Sequence, residues 1–316
     1  MTTASDSGPA AGTDIAGQTP EAARLMRLAT RAAVAVALLL VGVKAFAWLA
    51  TGSVSLLSSL VDSALDVAAS TVNLLAVRHA LTPADREHRF GHGKAEALAG
   101  LGQAAFIAGS AIFLVVEAGR RLAAPAPVED GMVGLVVMVV SIAATIGLVL
   151  FQRRVVRLTR SVAISADTLH FTSDLLVNAG VIVALILSWH FGLVAADPII
   201  ALVIAVYILW GSWEVAMGSY DILMDREFAD EDRARVREIV LAHPEVRDMH
   251  DLRTRTAGTM SFIQLHLELD PEMTLRRAHE IADDVEERVR AAFPGADVLI
   301  HQDPVGVAEA RITFRR

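Results

Sequence analysis

The chain has 316 residues, of which 54% are hydrophobic and only 20% charged, and its formal net charge is −8. This composition is more apolar than that of a soluble domain and argues against a cytosolic enzyme. The lack of cysteine in the sequence excludes disulfides, thiol nucleophiles and cysteine-ligated metal centres, and the negative charge argues against a nucleic-acid partner.

Long apolar runs dominate the first two thirds of the sequence. Residues 1–22 are rich in Ala, Gly, Ser, Thr and Pro without periodicity, which predicts a disordered tail. A helix needs about 20 apolar residues to cross a bilayer, and six runs between residues 23 and 222 have that length. These runs are at about 28–50, 55–78, 97–118, 131–152, 162–188 and 197–220. We therefore expect a transmembrane domain of six helices.

Basic residues predict the orientation of these helices. Arginines precede the first run, and Arg or Lys clusters also lie between runs two and three and between runs four and five. The alternate loops are nearly free of them, with Arg120 and Arg121 as the exception. Because cytoplasmic loops carry an excess of Lys and Arg, both termini are expected in the cytoplasm.

The segment 225–305 has a different character and predicts a soluble domain, followed by a C-terminal tail over 306–316. Residues 261–269 alternate between apolar and polar side chains, which is typical of a half-buried strand. Residues 230–242 and 274–293 have apolar side chains at helical spacing, and 297–302 resembles another strand. The order helix, strand, strand, helix, strand predicts a small α+β fold.

Two pairs of ionisable residues lie inside the apolar runs. Asp62 and Asp66 in the second run, and His170 and Asp174 in the fifth, are each spaced i,i+4 and so share a helix face. At about 1.5 Å of rise per residue, both pairs reach the middle of the membrane. Such groups are costly in a bilayer and are by default functional.

Three carboxylates and one imidazole together favour a metal site. Clustered carboxylates repel one another unless protons or a metal lie between them, and four such ligands suit Zn²⁺. The alternative is that these residues hydrogen-bond the helices together, which two pairs at matching depth make the weaker interpretation. Asp167 is either an entry ligand for the metal or an interfacial acid, and we favour the second interpretation. We interpret Lys44 as a side chain reaching the outer interface.

Two further groups outside the membrane have metal-ligand chemistry. Asp85, His88 and His92 lie close together in the loop after the second run, although a polar loop also collects such residues by chance. The soluble domain adds five candidates: His250, His266, His279, His301 and Asp303. His79, His190 and His243 fit none of these sites.

Several motifs resemble the cation diffusion facilitator family, specifically its bacterial FieF/YiiP-type zinc and ferrous-iron efflux transporters. They are the segment from Ser53 to Glu96, including PADREHRFGHGKAE, and ADTLHFTSD (166–174), HDLRTR (250–255), QLHLE (264–268) and LIHQDP (299–304). The similarity runs in register from about residue 25 to 305.

The resemblance implies a homodimeric, multi-pass exporter in the cell inner membrane that exchanges cytoplasmic divalent metal ions for protons. Zn²⁺ is the expected substrate, with Fe²⁺ or Cd²⁺ as alternatives. The resemblance also implies a transport site at Asp62, Asp66, His170 and Asp174, and a second metal site at Asp85, His88 and His92. It also implies a binuclear site at the five soluble-domain residues, in a cytoplasmic fold of the metallochaperone or ferredoxin-like αββαβ type. Lys94 and Asp225 match an interlocking salt bridge near the dimer interface, and the alternative for this pair is an ordinary surface ion pair worth less than about 1 kcal/mol.

Three other functions are alternatives to export. A non-transporting metal sensor or storage scaffold would keep the soluble-domain ligands but would not need ligands inside the membrane. An intramembrane metallohydrolase would need a base beside an open metal position, and no HExxH motif is present. A passive channel would conduct metal without proton counterflow.

Overall fold

The structure is a computed structural model and describes residues 20–52, 54–123, 132–193 and 195–307. Most of the predicted N-terminal tail (1–19) and most of the C-terminal tail (308–316) lie outside the described residues.

Within the described residues, six helices are long and apolar enough to cross a membrane, as predicted. Their bounds are α1 Pro20–Thr51, α2 Val54–Ala80, α3 Lys94–Ala123, α4 Met132–Thr159, α5 Val162–Phe191 and α6 Ala196–Leu223. Several extend beyond the predicted apolar runs because polar turns continue the helix past the hydrocarbon. Helices satisfy every backbone polar group internally, so they can span lipid.

Small residues allow these helices to pack closely. The most extensive contacts join α3 to α6 and α1 to α2. A Cβ on Gly100 in α3 would lie 2.6 Å from the Ser219 hydroxyl of α6, so only glycine allows this approach.

The N-terminus of α5 is capped by a side chain that also bonds α3. Ser161 Oγ accepts a hydrogen bond from the Ile164 amide at 3.3 Å and donates one to Glu96 Oε2 of α3 at 3.0 Å.

The C-terminal domain has the predicted αββαβ order. Its elements are α7 Asp230–Leu241, β1 Asp248–Ala257, β2 Met260–Leu269, α8 Leu275–Ala292 and β3 Ala296–Pro304. The strands form one sheet in the order β1–β2–β3, with β1 antiparallel and β3 parallel to the central β2.

Alternation along β2 separates the core from the metal-ligand face. Ile263, Leu265 and Leu267 are buried against α7 and α8, and full burial of such a side chain stabilises a fold by about 1.5–3 kcal/mol. The alternate residues His266 and Glu268 point to the other face, away from this core. The pattern predicted from the sequence is therefore present, and it leaves one face of the sheet available for polar chemistry.

Candidate metal centres

The two pairs of ionisable residues in α2 and α5 meet between the helices. His170 Nε2 lies 3.1 Å from Asp66 Oδ1 and 3.8 Å from Asp174 Oδ2. Each of these three residues offers a ligand atom within 4.8 Å of the others, and we call them the membrane cluster. Because the imidazole contacts carboxylates from both helices, the cluster links α2 to α5.

Asp62, the fourth predicted member, lies one turn earlier on α2. It is not within the 4.8 Å group, but it lines the same cavity of about 650 Å³ as Asp66, His170 and Asp174. The structure thus brings three of the four residues into direct proximity and leaves the fourth on the cavity wall.

Lys44 of α1 also lines this cavity, which corrects our interpretation of its position. Its Nζ donates to Ser63 Oγ at 2.6 Å and to the Ser59 carbonyl at 3.2 Å, both on α2. The extensive packing of α1 on α2 turns the ammonium inward instead of toward the outer interface. The cavity therefore contains one fixed cation beside the carboxylates.

Asp167 is fully buried, so its interpretation as an interfacial acid was wrong. Its carboxylate accepts hydrogen bonds from Gln152 Nε2 of α4 at 2.5 Å and from Gln103 Nε2 of α3 at 3.3 Å. These two amides replace the water that an interfacial acid would need.

The α2–α3 loop holds the second predicted group. Asp85 Oδ1 accepts the backbone amides of His88 at 2.7 Å and Glu87 at 2.9 Å, and the His88 bond is the main reason why the Asp85 pKa is lowered. His92 Nε2 lies 3.3 Å from Asp85 Oδ2, and His88 Nδ1 lies 3.6 Å from Asp85 Oδ1. Asp85, His88 and His92 offer ligand atoms within 4.8 Å of one another and form the loop cluster.

The third group lies on the polar face of the C-terminal sheet. Strand register places His250, His266 and His301 side by side on β1, β2 and β3. Asp303 contacts all three: its Oδ2 lies 2.7 Å from His266 Nδ1 and 3.4 Å from His250 Nε2, and its Oδ1 lies 3.0 Å from His301 Nε2. Ligand atoms of His250, His266 and Asp303 lie within 4.8 Å of one another, and these residues form the sheet cluster.

The sheet cluster differs from the sequence prediction at two residues: Glu268 lies beside the cluster but was not predicted, and His279 was predicted but lies apart from it. Glu268 Oε1 is 3.2 Å from His250 Nδ1. Its i,i+2 spacing from His266 on the same strand face is the signal that could have identified it. His279 is on α8 and exposed, with its Nε2 3.5 Å from Asp283 Oδ2, and it is outside the 4.8 Å group.

The predicted salt bridge joins the end of the membrane domain to the C-terminal domain. Lys94 Nζ lies 2.9 Å from Asp225 Oδ1, and Arg255 Nη1 of β1 lies 3.2 Å from the same oxygen. Partial burial raises the pKa of Asp225, but hydrogen bonds from Lys94 and Arg255 outweigh this effect and lower it overall.

Known proteins match both domains of this chain. Residues 30–224 match the cation efflux transmembrane domain, and residues 228–305 match the cytoplasmic domain of cation efflux proteins. The cation-efflux pump FieF of Pectobacterium atrosepticum is 51% identical over 286 residues, covering 90% of this chain and 95% of that protein. FieF of Cronobacter sakazakii is 50% identical over 284 residues, covering 90% and 94%.

One similar solved structure covers a quarter of this chain. The metal-bound C-terminal domain of the CzcD transporter from Thermotoga maritima is 28% identical and covers 25% of this chain and 93% of its own, with a TM-score of 0.24. The family assignment depends instead on the two matched domains and the full-length relatives. This multi-pass membrane protein belongs to the cation efflux family, which consists of transporters and not of enzymes.

Proposed function

We propose that this protein exports Zn²⁺ from the cytoplasm across the inner membrane in exchange for protons. The observation that carries the proposal is the membrane cluster, in which Asp66, His170 and Asp174 converge from two spanning helices. The relatives named as cation-efflux pumps support the direction of transport.

The donor set supports a divalent transition metal as substrate. With Asp62 from the cavity wall, the membrane cluster offers three carboxylates and one imidazole, a combination that suits four-coordinate Zn²⁺. At sites with nitrogen and oxygen ligands, affinity for Zn²⁺ exceeds that for Fe²⁺. Fe²⁺ and Cd²⁺ are the alternative substrates that this donor set also accepts.

Proton exchange follows from the same ligands. A metal requires ionised carboxylates and a neutral imidazole, so metal binding releases protons and protons displace metal. A single site with two mutually exclusive occupants works as an antiporter if it opens to each side in turn. Because Asp66 and His170 join α2 to α5, we propose that these two helices move together during this alternation.

The remaining parts of the proposal concern assembly and orientation. The match to the cytoplasmic domain of the family supports a homodimer with both termini in the cytoplasm. The loop cluster and the sheet cluster bind additional metal ions in this proposal, with His279 and His301 as further ligands of a binuclear sheet site. Metal bound there favours the transport-competent arrangement of the dimer.

A non-transporting metal sensor or scaffold is the second candidate. The loop and sheet clusters would be sufficient for that function, whereas ligands buried in spanning helices would have no role. Zinc movement across a membrane therefore separates the two functions directly.

The test uses purified protein in liposomes with a zinc dye and a pH dye. We expect zinc uptake coupled to proton movement. The rate of zinc flux should fall at least about tenfold in the Asp66→Ala and His170→Ala variants, because replacing even an outer-shell partner of a metal ligand lowers metal affinity or activity by about 10- to 100-fold. Glu214→Gln is the matched control, because Glu214 is an exposed acid in α6 that bonds Trp210. Unchanged flux in Asp66→Ala would reject the site, zinc flux without protons would indicate a channel, and no flux in the native protein would favour the scaffold.

A further inference from the structure

His79, which the sequence assigned to no site, lies beside the loop cluster. It occupies the last turn of α2, and its ring centroid is 4.5 Å from that of His92, at an interplanar angle of 61°. His88 lies against the same ring, at 4.7 Å between centroids. Three imidazole rings and the Asp85 carboxylate therefore lie at one end of α2. His79 is outside the group whose ligand atoms lie within 4.8 Å of one another, so its ring must turn toward the other three residues to bind the same ion.

The backbone holds this arrangement in place. The α2–α3 loop turns back at once, with the Thr82 amide donating to the His79 carbonyl at 2.9 Å. The Thr82 carbonyl in turn lies 3.3 Å from His92 Nδ1. A carbonyl only accepts hydrogen bonds, so this contact favours the tautomer with the proton on Nδ1, in which His92 Nε2, the atom 3.3 Å from Asp85 Oδ2, can bind a metal.

Within the described residues, the loop cluster lacks a fourth protein ligand. Asp85, His88 and His92 supply three donors, whereas zinc sites that hold their ion permanently are four-coordinate with all positions filled by protein. We propose that His79 is the fourth ligand and completes a His₃Asp zinc site. This inference depends on the proposed binding of metal by the loop cluster.

The position of His79 suits that role. Its side chain is exposed, so the ring can rotate and turn a nitrogen toward the ion. It also lies at the C-terminal end of α2, where the helix dipole favours a cation. A site closed by four protein ligands holds its ion instead of passing it on, which makes the loop site a regulatory or structural one and not a step on the transport path.

The experiment isolates the loop site in the full-length protein. Asp66→Ala and Asp303→Ala disable the other two clusters, and Co²⁺ serves as the probe because its visible spectrum distinguishes four-coordinate from higher-coordinate sites. In this background we expect one Co²⁺ with a four-coordinate spectrum. His79→Gln should weaken Zn²⁺ and Co²⁺ binding by about 10- to 100-fold and abolish that spectrum.

His190→Gln is the matched control, an exposed histidine near the end of α5 that contacts Phe191. An unchanged spectrum and affinity in His79→Gln would show that His79 only packs against His92 and would overturn the proposal. Absence of Co²⁺ binding in the isolating background would overturn it as well. Neither result affects the transport proposal, which is tested by liposome flux with the membrane cluster intact.

Discussion

Gly93 and Ala257 are in backbone contact: a Cβ on Gly93 would lie 2.0 Å from the Ala257 carbonyl oxygen. The contact is reciprocal, since a Cβ on Gly258 would lie 2.8 Å from the Gly93 carbonyl oxygen. The loop that contains the loop cluster is therefore docked on the turn between β1 and β2. Any movement of the C-terminal sheet relative to the membrane helices must move this loop or break the contact.

Gly93→Ala tests this contact. The added methyl group has no space, so the loop must separate from the hairpin, at a cost of about 1–3 kcal/mol, which is typical of overpacking. We expect a lower apparent melting temperature, measured by loss of the monodisperse peak in fluorescence-detected size-exclusion chromatography. Gly102→Ala is the control, because a Cβ at Gly102 would meet nothing within 4 Å. Equal melting temperatures for the two variants would contradict the docking.

Arg255 of β1 also joins the C-terminal sheet to the α2–α3 loop. Its guanidinium lies 4.4 Å from the centroid of Phe262 and 5.0 Å from that of Phe90, a residue between two loop-cluster histidines. Lysine keeps the charge but loses the planar stacking, so Arg255→Lys should cost about 0.5–2 kcal/mol. We expect faster hydrogen exchange over residues 86–93. The same replacement at Arg276, an exposed arginine of α8, should leave that exchange unchanged, and protection retained in Arg255→Lys would argue against the stack.

Helical periodicity explains why the membrane cluster could be predicted. Residues four apart share a helix face whatever the tertiary structure, so the pairing of His170 with Asp174 followed from the sequence. The burial of Asp167 could not be predicted, because its partners Gln103 and Gln152 belong to two other helices, 64 and 15 residues away. Only the packed bundle brings these amides to the carboxylate.

In the C-terminal domain, strand register is the part of the metal site that the sequence alone could not predict. The alternation of β2 predicts that His266 points to the polar face, but it does not say which residue of β1 or β3 lies beside it. The alignment of His250, His266 and His301 depends on pairing between strands, including a register shift in β1 between His250 and Arg253. Prediction therefore identified the ligand types on the sheet but not that Asp303 lies at their centre.

The Lys94–Asp225 salt bridge should make stability depend on pH in the acidic range. The folded-state pKa of Asp225 is lower than its unfolded value, so its contribution is present above the ordinary value of about 4 and is lost as the pH falls through the lower, folded-state pKa. We expect Asp225→Asn to lower the melting temperature at pH 7, with the difference from the native protein disappearing in acid. Asp230→Asn removes a nearly fully exposed carboxylate as the control. A difference that stays constant down to pH 3 would contradict the assignment.

Asp303 should be the most important single residue of the sheet cluster, because its two oxygens contact His250, His266 and His301 at once. Asp303→Ala removes the shared donor and leaves the histidines of all three strands without their common partner. We expect zinc affinity at this site to fall by at least about tenfold, given that replacing even an outer-shell partner of a metal ligand lowers metal affinity by about 10- to 100-fold.

The measurement is isothermal titration of the full-length protein that also contains Asp66→Ala and His92→Ala, so that the other two clusters do not contribute. Asp297→Ala, which removes an exposed acid from the same strand, should leave the affinity unchanged. If both variants bind zinc equally well, Asp303 is a hydrogen-bond partner that orders the histidines and the metal site lies elsewhere.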